Sequence, residues 1–214
     1  GNLDGAPWTA LGYGTSNWKS GQAPLGYGSA GTGYATKVDY GNNLQSKHTT
    51  YYFRRNIKLS EAPSANDVFR LDYNVDDGFV MYVNVKEVAR YNMPSGEVSF
   101  STLASTYALT DPTAGSMELS GSSFKKGINT IAIEVHNSSG DSSDIYWDAQ
   151  LTYQKENEPT SSYLSTENTL MIPDEDIVLT AHFSKQTDLS SLCPVVINEV
   201  SAGNSIYVNE YSKK

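Results

Sequence analysis

Two runs of alternating apolar and polar residues lie on either side of a short acidic turn. In the first run, apolar side chains occupy every second position: Phe69, Leu71, Tyr73 and Val75. After Asp77-Gly78 the alternation resumes, with apolar side chains at Phe79, Met81, Val83 and Val85. A period of two is typical of half-buried strands, and Asp-Gly is a frequent hairpin turn. The pattern therefore predicts a β-hairpin over residues 68–85.

Similar patterns predict further strands along most of the chain, at 50–59, 97–103, 116–119, 131–135 and 145–153. In the strand predicted at 131–135, alternation places two sets of side chains on opposite faces. One set is Ile131, Ile133 and Val135, and the other is Ala132, Glu134 and His136. No helical periodicity is evident, and the first 48 residues have the Gly, Ser and Tyr content of long loops with short strands. Many short strands between Gly-rich and Ser-rich turns indicate an all-β fold, either a sandwich or a barrel.

The composition changes after Tyr153. Residues 154–165 are charged and then rich in Pro, Thr and Ser, which is typical of a linker. We therefore expect a β-domain over 1–153, a linker over 154–165, a small β-hairpin over 166–185 and the start of a further domain over 186–214. Because an isolated hairpin is only marginally stable, the small hairpin is expected to pack on the main domain.

The chain is acidic and rich in tyrosine. Its 214 residues include 15 Tyr, 17 Gly and one Cys, and its net charge is -9 at pH 7. The negative charge disfavours nucleic acid and anionic membrane surfaces as partners. No apolar run approaches the roughly 20 residues of a membrane-spanning helix. This composition is typical of a secreted β-protein, so we expect an extracellular or cell-surface location and no membrane insertion.

Several short motifs follow one another along the predicted β-domain. They are Ala23-Pro24-Leu25-Gly26-Tyr27-Gly28, Tyr52-Phe53-Arg54-Arg55, Asp76-Asp77-Gly78 with Tyr82-Val83-Asn84, Glu87-Val88-Ala89-Arg90 with Asn92-Met93-Pro94, and Gly127-Ile128-Asn129 leading to Glu134-Val135-His136-Asn137 and Ser142-Ser143-Asp144. Over residues 8–153 this set resembles the galactose-binding-like jelly-roll modules of large secreted bacterial proteins. Near the C-terminus, Val195–Val200 resembles the opening strand of a lamin-tail-like domain.

The resemblance implies a fold and a setting. The fold is a two-sheet antiparallel β-sandwich of the jelly-roll type, followed by a small C-terminal β appendage. The setting is that of an accessory module beside other domains of the same polypeptide. One departure concerns a turn that is usually Asn-Gly in the family and is Asn84-Val85 here. A β-branched residue resists the positive φ of a type I′ turn, so either the turn differs or the pairing shifts locally.

Asp76 and Asp77 are adjacent, and adjacent side chains diverge on an extended chain. They are therefore poorly placed to act as paired catalytic carboxylates, which must face one substrate atom. Two interpretations stay open. The carboxylates coordinate a sugar hydroxyl or a calcium ion at the hairpin tip, or they accept backbone N–H bonds within a turn.

The main candidate site gathers polar side chains from the end of the predicted hairpin and from the last two strands of the domain. They are Arg90, Asn92, Glu134, His136, Asp144 and Asp148. Such donors and acceptors suit the hydroxyls of a sugar. The alternative is an internal hydrogen-bond network in which Arg90 pairs with an acidic residue. Loop aromatics add a stacking surface or, alternatively, plug the core: Tyr13, Trp18, Tyr27 and Tyr34.

Transition-metal chemistry is not predicted, because the three histidines are widely separated and one cysteine cannot form a zinc site. Calcium needs only oxygen ligands, and the loops around Asp141, Asp144 and Asp148 offer some, although no EF-hand spacing is present. We therefore expect no obligatory cofactor, with calcium as an open option.

The leading functional hypothesis is a noncatalytic carbohydrate-binding module within a larger secreted or surface protein. It would bind an extracellular glycan or another polymer through Trp18, Tyr27, Arg90, Asn92, Glu134, His136 and Asp144. A spacer module without a ligand is the first alternative. A glycan hydrolase using Glu134, His136 and Asp148 is least favoured, because no spacing encodes a nucleophile, a base and an orienting group.

Overall fold

The computed structural model of the chain describes residues 1–30, 33–108 and 110–156, and the backbone of Ser161–Leu164. The described residues form ten strands and one 3-10 turn, Gly121–Ser123. The strands are β1 (Leu25–Tyr27), β2 (Thr36–Lys37), β3 (Thr50–Leu59), β4 (Val68–Asp76), β5 (Gly78–Val83), β6 (Lys86–Tyr91), β7 (Thr113–Ser120), β8 (Gly127–His136), β9 (Ile145–Gln154) and β10 (Ser161–Leu164). No α-helix occurs among the described residues, and none of them belongs to a helix long and apolar enough to cross a membrane.

The strands form two sheets. The larger sheet has the order β2-β1-β9-β4-β7, with β10 also paired to β9, and the smaller sheet has the order β3-β8-β5-β6. All pairs are antiparallel except β1 with β2. This arrangement confirms the predicted all-β, two-sheet antiparallel β-sandwich.

The core lies between the two sheets and is filled by alternate residues of each strand. In β4 these are the predicted apolar residues, and Phe69 and Val75 are completely buried. The rings of Phe79 and Trp147 meet across the core with centroids 5.0 Å apart. Alternation along each strand therefore produces one continuous apolar layer, which holds the sheets together mainly by the hydrophobic effect.

The predicted hairpin over residues 68–85 is wrong. Strands β4 and β5 lie in different sheets, because β4 pairs with β7 and β9 whereas β5 pairs with β6 and β8. The chain crosses from one sheet to the other at Asp77, between the two strands. Alternation identifies the buried face of each strand but not its neighbour, and two strands facing one core from opposite sheets give the same pattern as a hairpin.

The actual hairpin joins β5 to β6 through Asn84 and Val85. Both residues have positive φ, 50° and 72°, as a type I′ turn requires. The pairing also shifts register between Met81 and Tyr82. Val85 thus adopts the backbone conformation that its β-branched side chain disfavours. A local shift in strand pairing, one of the two alternatives that the sequence left open, is also present.

The predicted strand over 97–103 is also wrong. This segment is a loop closed by hydrogen bonds of Ser99 with Thr102, and its end is fixed by the bond from the Ala104 N–H to the Asn137 carbonyl, 3.0 Å long. Val98 packs against a small apolar cluster of Val80, Met93 and Ala104, in which Val80 lies on the outer face of the smaller sheet. The loop carries spaced apolar residues because it covers that face, and the spacing of these residues resembles the alternation of a strand.

One further prediction concerns the segment after the sandwich. The predicted linker 154–165 contains strand β10, which pairs with β9 in the larger sheet. The predicted segments 166–185 and 186–214 lie outside the described residues.

Candidate functional site

Three carboxylates meet at one end of the larger sheet. Asp76 ends β4, Asp111 lies just before β7, and Asp144 directly precedes β9. Because β7 and β9 both run antiparallel to β4, their starting ends lie beside its finishing end. One oxygen from each carboxylate lies within 4.8 Å of the others. We refer to Asp76, Asp111 and Asp144 as the carboxylate cluster.

Asp76 is the most constrained member of the carboxylate cluster. Its side chain is 3% exposed, and its Oδ2 atom has no hydrogen-bond partner among the described residues. Burial, followed by the charge of Asp77, raises the pKa of Asp76 to about 9. A buried polar atom without a partner is rare in folded proteins, and it often marks a place where a water molecule or an ion binds.

The other two members differ in exposure. Asp111 is exposed, so the carboxylate cluster reaches solvent on its side. Burial, followed by the charge of Asp144, raises the pKa of Asp111. Asp144 is buried and accepts hydrogen bonds from Ser143, at 2.7 Å, and from Ser29, at 3.2 Å. Its orientation is therefore fixed by two hydroxyl groups.

Gly28, which directly follows β1, allows the end of that strand to approach the carboxylate cluster. Its φ is +89°, and a Cβ at this position would lie 2.4 Å from the Cβ of Asp144. Any other residue would displace the loop that carries Asp144. The family-like motif that ends at Gly28 thus has a direct steric role at this end of the sandwich.

Asp77 has a different role from its neighbour. Its two carboxylate oxygens accept backbone N–H bonds from Ala108 and Ser138, each 2.7 Å long. These bonds tie the loop before β7 and the loop before β9 to the crossing between the sheets. Of the two interpretations of the acidic pair, the one with backbone N–H bonds describes Asp77 and leaves Asp76 with a free oxygen.

Asn92 holds the loop that follows β6. Its side-chain amide donates to the carbonyls of Asp77, at 3.0 Å, and Thr106, at 2.6 Å, and its oxygen accepts from the N–H and hydroxyl of Thr106. Tyr107 therefore lies between two anchored residues, Thr106 and Ala108. Its side chain is nonetheless 71% exposed, so an aromatic ring is displayed from a fixed backbone.

Two further tyrosines lie near the carboxylate cluster. Tyr27, a predicted ligand residue, is 5% exposed and belongs to the core, so its ring has no free face for stacking. Tyr34 is half-buried, its ring contacts Tyr146, and its hydroxyl donates to the Tyr27 carbonyl at 2.7 Å. Burial, followed by the charge of Asp144, raises the pKa of Tyr34.

Arg90 lies on β6 and is occupied by contacts with that strand and with the turn that follows it. Its guanidinium donates to both oxygens of Glu87, at 2.7 and 2.8 Å, and to the carbonyls of Pro94 and Gly96. These bonds match the alternative prediction that Arg90 pairs with an acidic residue. They also fix the chain just after Asn92, so Arg90 shapes the loop that leads to Tyr107.

Glu134 and His136 lie together, as their spacing predicts, on the outer face of the smaller sheet. Both are buried, and Glu134 accepts a hydrogen bond from the Tyr82 hydroxyl at 2.6 Å. His136 Nδ1 lies 2.7 Å from the carbonyl of Thr102, and its Nε2 lies 3.5 Å from Glu134. Because a carbonyl only accepts, Nδ1 carries the proton and donates this bond. The pair therefore connects the sheet to the loop that covers it.

Asp148 is separated from that pair by the whole sandwich. Alternation along β9 places Trp147 and Ala149 in the core, so Asp148 faces outward from the larger sheet, whereas Glu134 faces outward from the smaller one. Packed sheets are about 10 Å apart, and these side chains point away from each other. The three residues of the hydrolase hypothesis do not converge on one substrate atom.

Trp18, the remaining predicted ligand residue, is half-buried near the N-terminus. Its ring makes an edge contact with Tyr13, with centroids 6.2 Å apart. The ligand-binding role of the seven predicted residues stays a prediction. The structure brings only one of them, Asp144, into the carboxylate cluster.

Sequence reasoning missed Asp111 and Tyr107 as site residues. The available signal was weak: Asp76, Asp111 and Asp144 each lie within two residues of a strand end. Their convergence follows only from the pairing of β4 with both β7 and β9. Tyr107 lies in a segment whose anchoring depends on Asn92 and Asp77, which are distant in sequence.

Comparisons with known proteins give little further guidance. No protein-family model matches the chain, and no curated protein matches it. Among solved structures, the chain is similar to the crystal structure of a beta-glycosidase from Bacteroides vulgatus, with a TM-score of 0.36 and 15% sequence identity. The match covers 69% of this chain and 21% of the glycosidase chain. This likeness is too distant to support an argument, so the fold assignment rests on the strand pairing described above.

Proposed function

We propose that the chain is a noncatalytic β-sandwich module of a secreted or surface protein, and that it binds an extracellular carbohydrate with the loop end of the larger sheet. The observation that carries the proposal is the exposure of the Tyr107 ring. An exposed aromatic ring on a backbone fixed at both neighbouring residues is a preorganised stacking platform. Tyrosine gives a large contact area for a small loss of side-chain entropy, and such rings stack well on flat apolar faces.

The carboxylate cluster supports a carbohydrate over a purely apolar ligand. Ala108, directly after Tyr107, is tied to Asp77, which adjoins Asp76. Asp111 is the exposed member of the carboxylate cluster, and its oxygens are strong acceptors for the hydroxyl groups of a sugar, whereas Asp76 and Asp144 are buried. A ligand with both hydroxyl groups and an apolar C–H face would use both kinds of contact at this end. The half-buried Tyr34 adds a second aromatic group near the carboxylates.

The absence of a catalytic function is part of the proposal. Glu134 and Asp148 face outward from opposite sheets, and His136 is enclosed by Thr50, Thr102 and Glu134. None of these groups has the shared access to a substrate atom that acid–base catalysis requires. A binding role needs only a fixed surface, which the hydrogen bonds of Asn92 and Asp77 provide.

A glycan array with the purified chain, read with and without calcium chloride, tests the proposal. We expect at least one class of polysaccharide to bind. Tyr107→Ala should weaken that binding about tenfold, which corresponds to about 1.4 kcal/mol. Tyr107→Phe, the matched control, keeps the ring and should bind like the original chain. Absence of binding to every glycan in both conditions would contradict the proposal and favour the spacer function.

A further inference from the structure

The carboxylate cluster has the chemistry of a cation site. It contributes oxygen atoms from Asp76, Asp111 and Asp144, and one oxygen from each lies within 4.8 Å of the others. Within the described part of the chain, no Lys, Arg or His forms an ion pair with any of the three. Like charges this close repel one another strongly in a partly buried place. A cation bound at this end of the sheet would offset that repulsion.

A second observation points to a ligand independently of the clustering. The Asp76 side chain is 97% enclosed, being 3% exposed, and its Oδ2 has no hydrogen-bond partner in the described residues. The neighbouring Asp77, which is equally buried, has both oxygens satisfied by backbone N–H groups. The fold thus supplies donors for one carboxylate of the pair and leaves an oxygen of the other, a member of the carboxylate cluster, available to a ligand.

We propose that Asp76, Asp111 and Asp144 bind one calcium ion. The ligands are all hard oxygen atoms, with no histidine or cysteine among them, which selects an alkaline-earth cation over zinc or copper. Calcium takes six to eight oxygen ligands, several of them carboxylates, in a flexible shell. Magnesium demands a near-ideal octahedron, keeps several waters and is usually held by only one or two carboxylates. Three carboxylates from separate segments of the chain therefore fit calcium better.

The calcium ion would join separate parts of the fold. Its ligands come from the end of β4, from the loop before β7 and from the loop before β9. The exposed Asp111 gives the ion a path from solvent, and water can complete the six to eight ligands that calcium takes. The two hydroxyl donors to Asp144 keep that carboxylate oriented, as supporting hydrogen bonds do in metal sites. This inference does not depend on a carbohydrate ligand.

Titration calorimetry of the chelator-treated chain with calcium chloride tests this site, with terbium luminescence as a second readout. Terbium replaces calcium at oxygen sites and is excited through nearby tyrosines, such as Tyr34. We expect one ion to bind per chain. Asp111→Asn, at an exposed position, should weaken binding at least tenfold, and Asp76→Asn should weaken it at least as much.

The matched control is Asp141→Asn. Asp141 is an exposed acidic residue of the same loop as Asp144 but is not part of the carboxylate cluster, so its substitution should leave calcium affinity unchanged. Circular dichroism of each variant confirms that it is folded. The proposal is overturned if the original chain binds neither calcium nor terbium at millimolar concentration. It is also overturned if Asp111→Asn and Asp76→Asn both bind calcium as tightly as the original chain, or if magnesium binds as tightly as calcium. Calcium binding with no glycan binding would contradict only the carbohydrate proposal.

Discussion

Asp76 and Asp77 are adjacent in the chain, yet only Asp77 has both carboxylate oxygens hydrogen-bonded. Asp77 accepts from Ala108 and Ser138 at 2.7 Å each, whereas Asp76 Oδ2 has no partner in the described part of the chain. Asp77 therefore braces two loops, and Asp76 is a candidate ligand residue. The same acidic pair therefore serves stability and function separately.

Replacing each residue of this pair by asparagine should have different consequences for stability. Asp77→Asn presents an NH₂ group to a backbone N–H and loses one charge-assisted hydrogen bond, which should lower the free energy of unfolding by about 2 kcal/mol. Asp76→Asn replaces a carboxyl group whose charged form is disfavoured by burial and by the charge of Asp77, so in the presence of a chelator it should not lower stability. Urea unfolding of both variants in EDTA measures the difference. Equal destabilisation by the two substitutions would contradict the assigned roles.

Val85→Gly should stabilise the protein. Val85 has a φ of 72° and its side chain is 60% exposed, so the strained conformation is not offset by burial. Relief of the strain should raise the free energy of unfolding by about 1 kcal/mol. Val85→Ala, which keeps a Cβ but is not β-branched, should give a smaller gain. Chemical denaturation of the three proteins tests this, and a loss of stability in Val85→Gly would show that the turn is not strained.

Arg55→Met is also expected to stabilise the fold. Arg55 lies between Phe53 and Ile57 on the core side of β3, is 4% exposed, and has no partner for its Nε and Nη1 atoms in the described residues. Burial lowers its pKa to about 10. An apolar side chain of similar length should increase stability by at least about 1 kcal/mol.

Arg54→Met is the control for that substitution. Arg54 lies on the outer face of the same strand, and its guanidinium donates to the carbonyls of Ala10, at 2.6 Å, and Tyr13, at 3.2 Å. Removing it should destabilise the protein by loosening the N-terminal segment. Thermal unfolding should therefore move in opposite directions for the two adjacent arginines, and a decrease for both would refute the interpretation of Arg55.

Asp67 should make stability depend on pH at the acidic end. The Tyr153 hydroxyl, followed by the Glu156 N–H, lowers the pKa of Asp67 from 3.8 to about 2. Because the folded pKa is lowered, the stabilisation is present above pH 3.8 and is lost as the pH falls through about 2. Asp67→Asn should therefore lower the melting temperature at pH 6, and the difference from the original chain should shrink towards pH 2. A difference that stays constant over this range would contradict the assignment.

The strands were predictable from the sequence to a large extent, whereas their pairing was not. Alternation gave the bounds of β3 correctly and placed Ile131, Ile133 and Val135 in the core, because burial of one face is a local property of a strand. Alternation wrongly predicted that β4 pairs with β5, because strands of both sheets bury one face in the same apolar layer. Which strands pair in a sheet depends on contacts between residues far apart in the sequence.

The candidate site was less predictable for the same reason. The proximity of Glu134 and His136 follows from their spacing on one strand, and the pairing of Arg90 with an acidic residue was one of the alternatives. The carboxylate cluster instead depends on the register of β4 with two strands that follow it by many residues. Sequence patterns therefore identified Asp76 and Asp144 singly but did not bring them together with Asp111.

Amide NMR spectra recorded during a calcium titration locate the functional end of the sandwich. We infer that it is the end where β4 finishes and β7 and β9 begin. We therefore expect saturable shifts for the amides of Gly28, Asp76, Asp111 and Asp144, with little change around Arg90, Glu134 and His136. Shifts centred on the outer face of the smaller sheet, or no shifts at millimolar calcium, would contradict this inference.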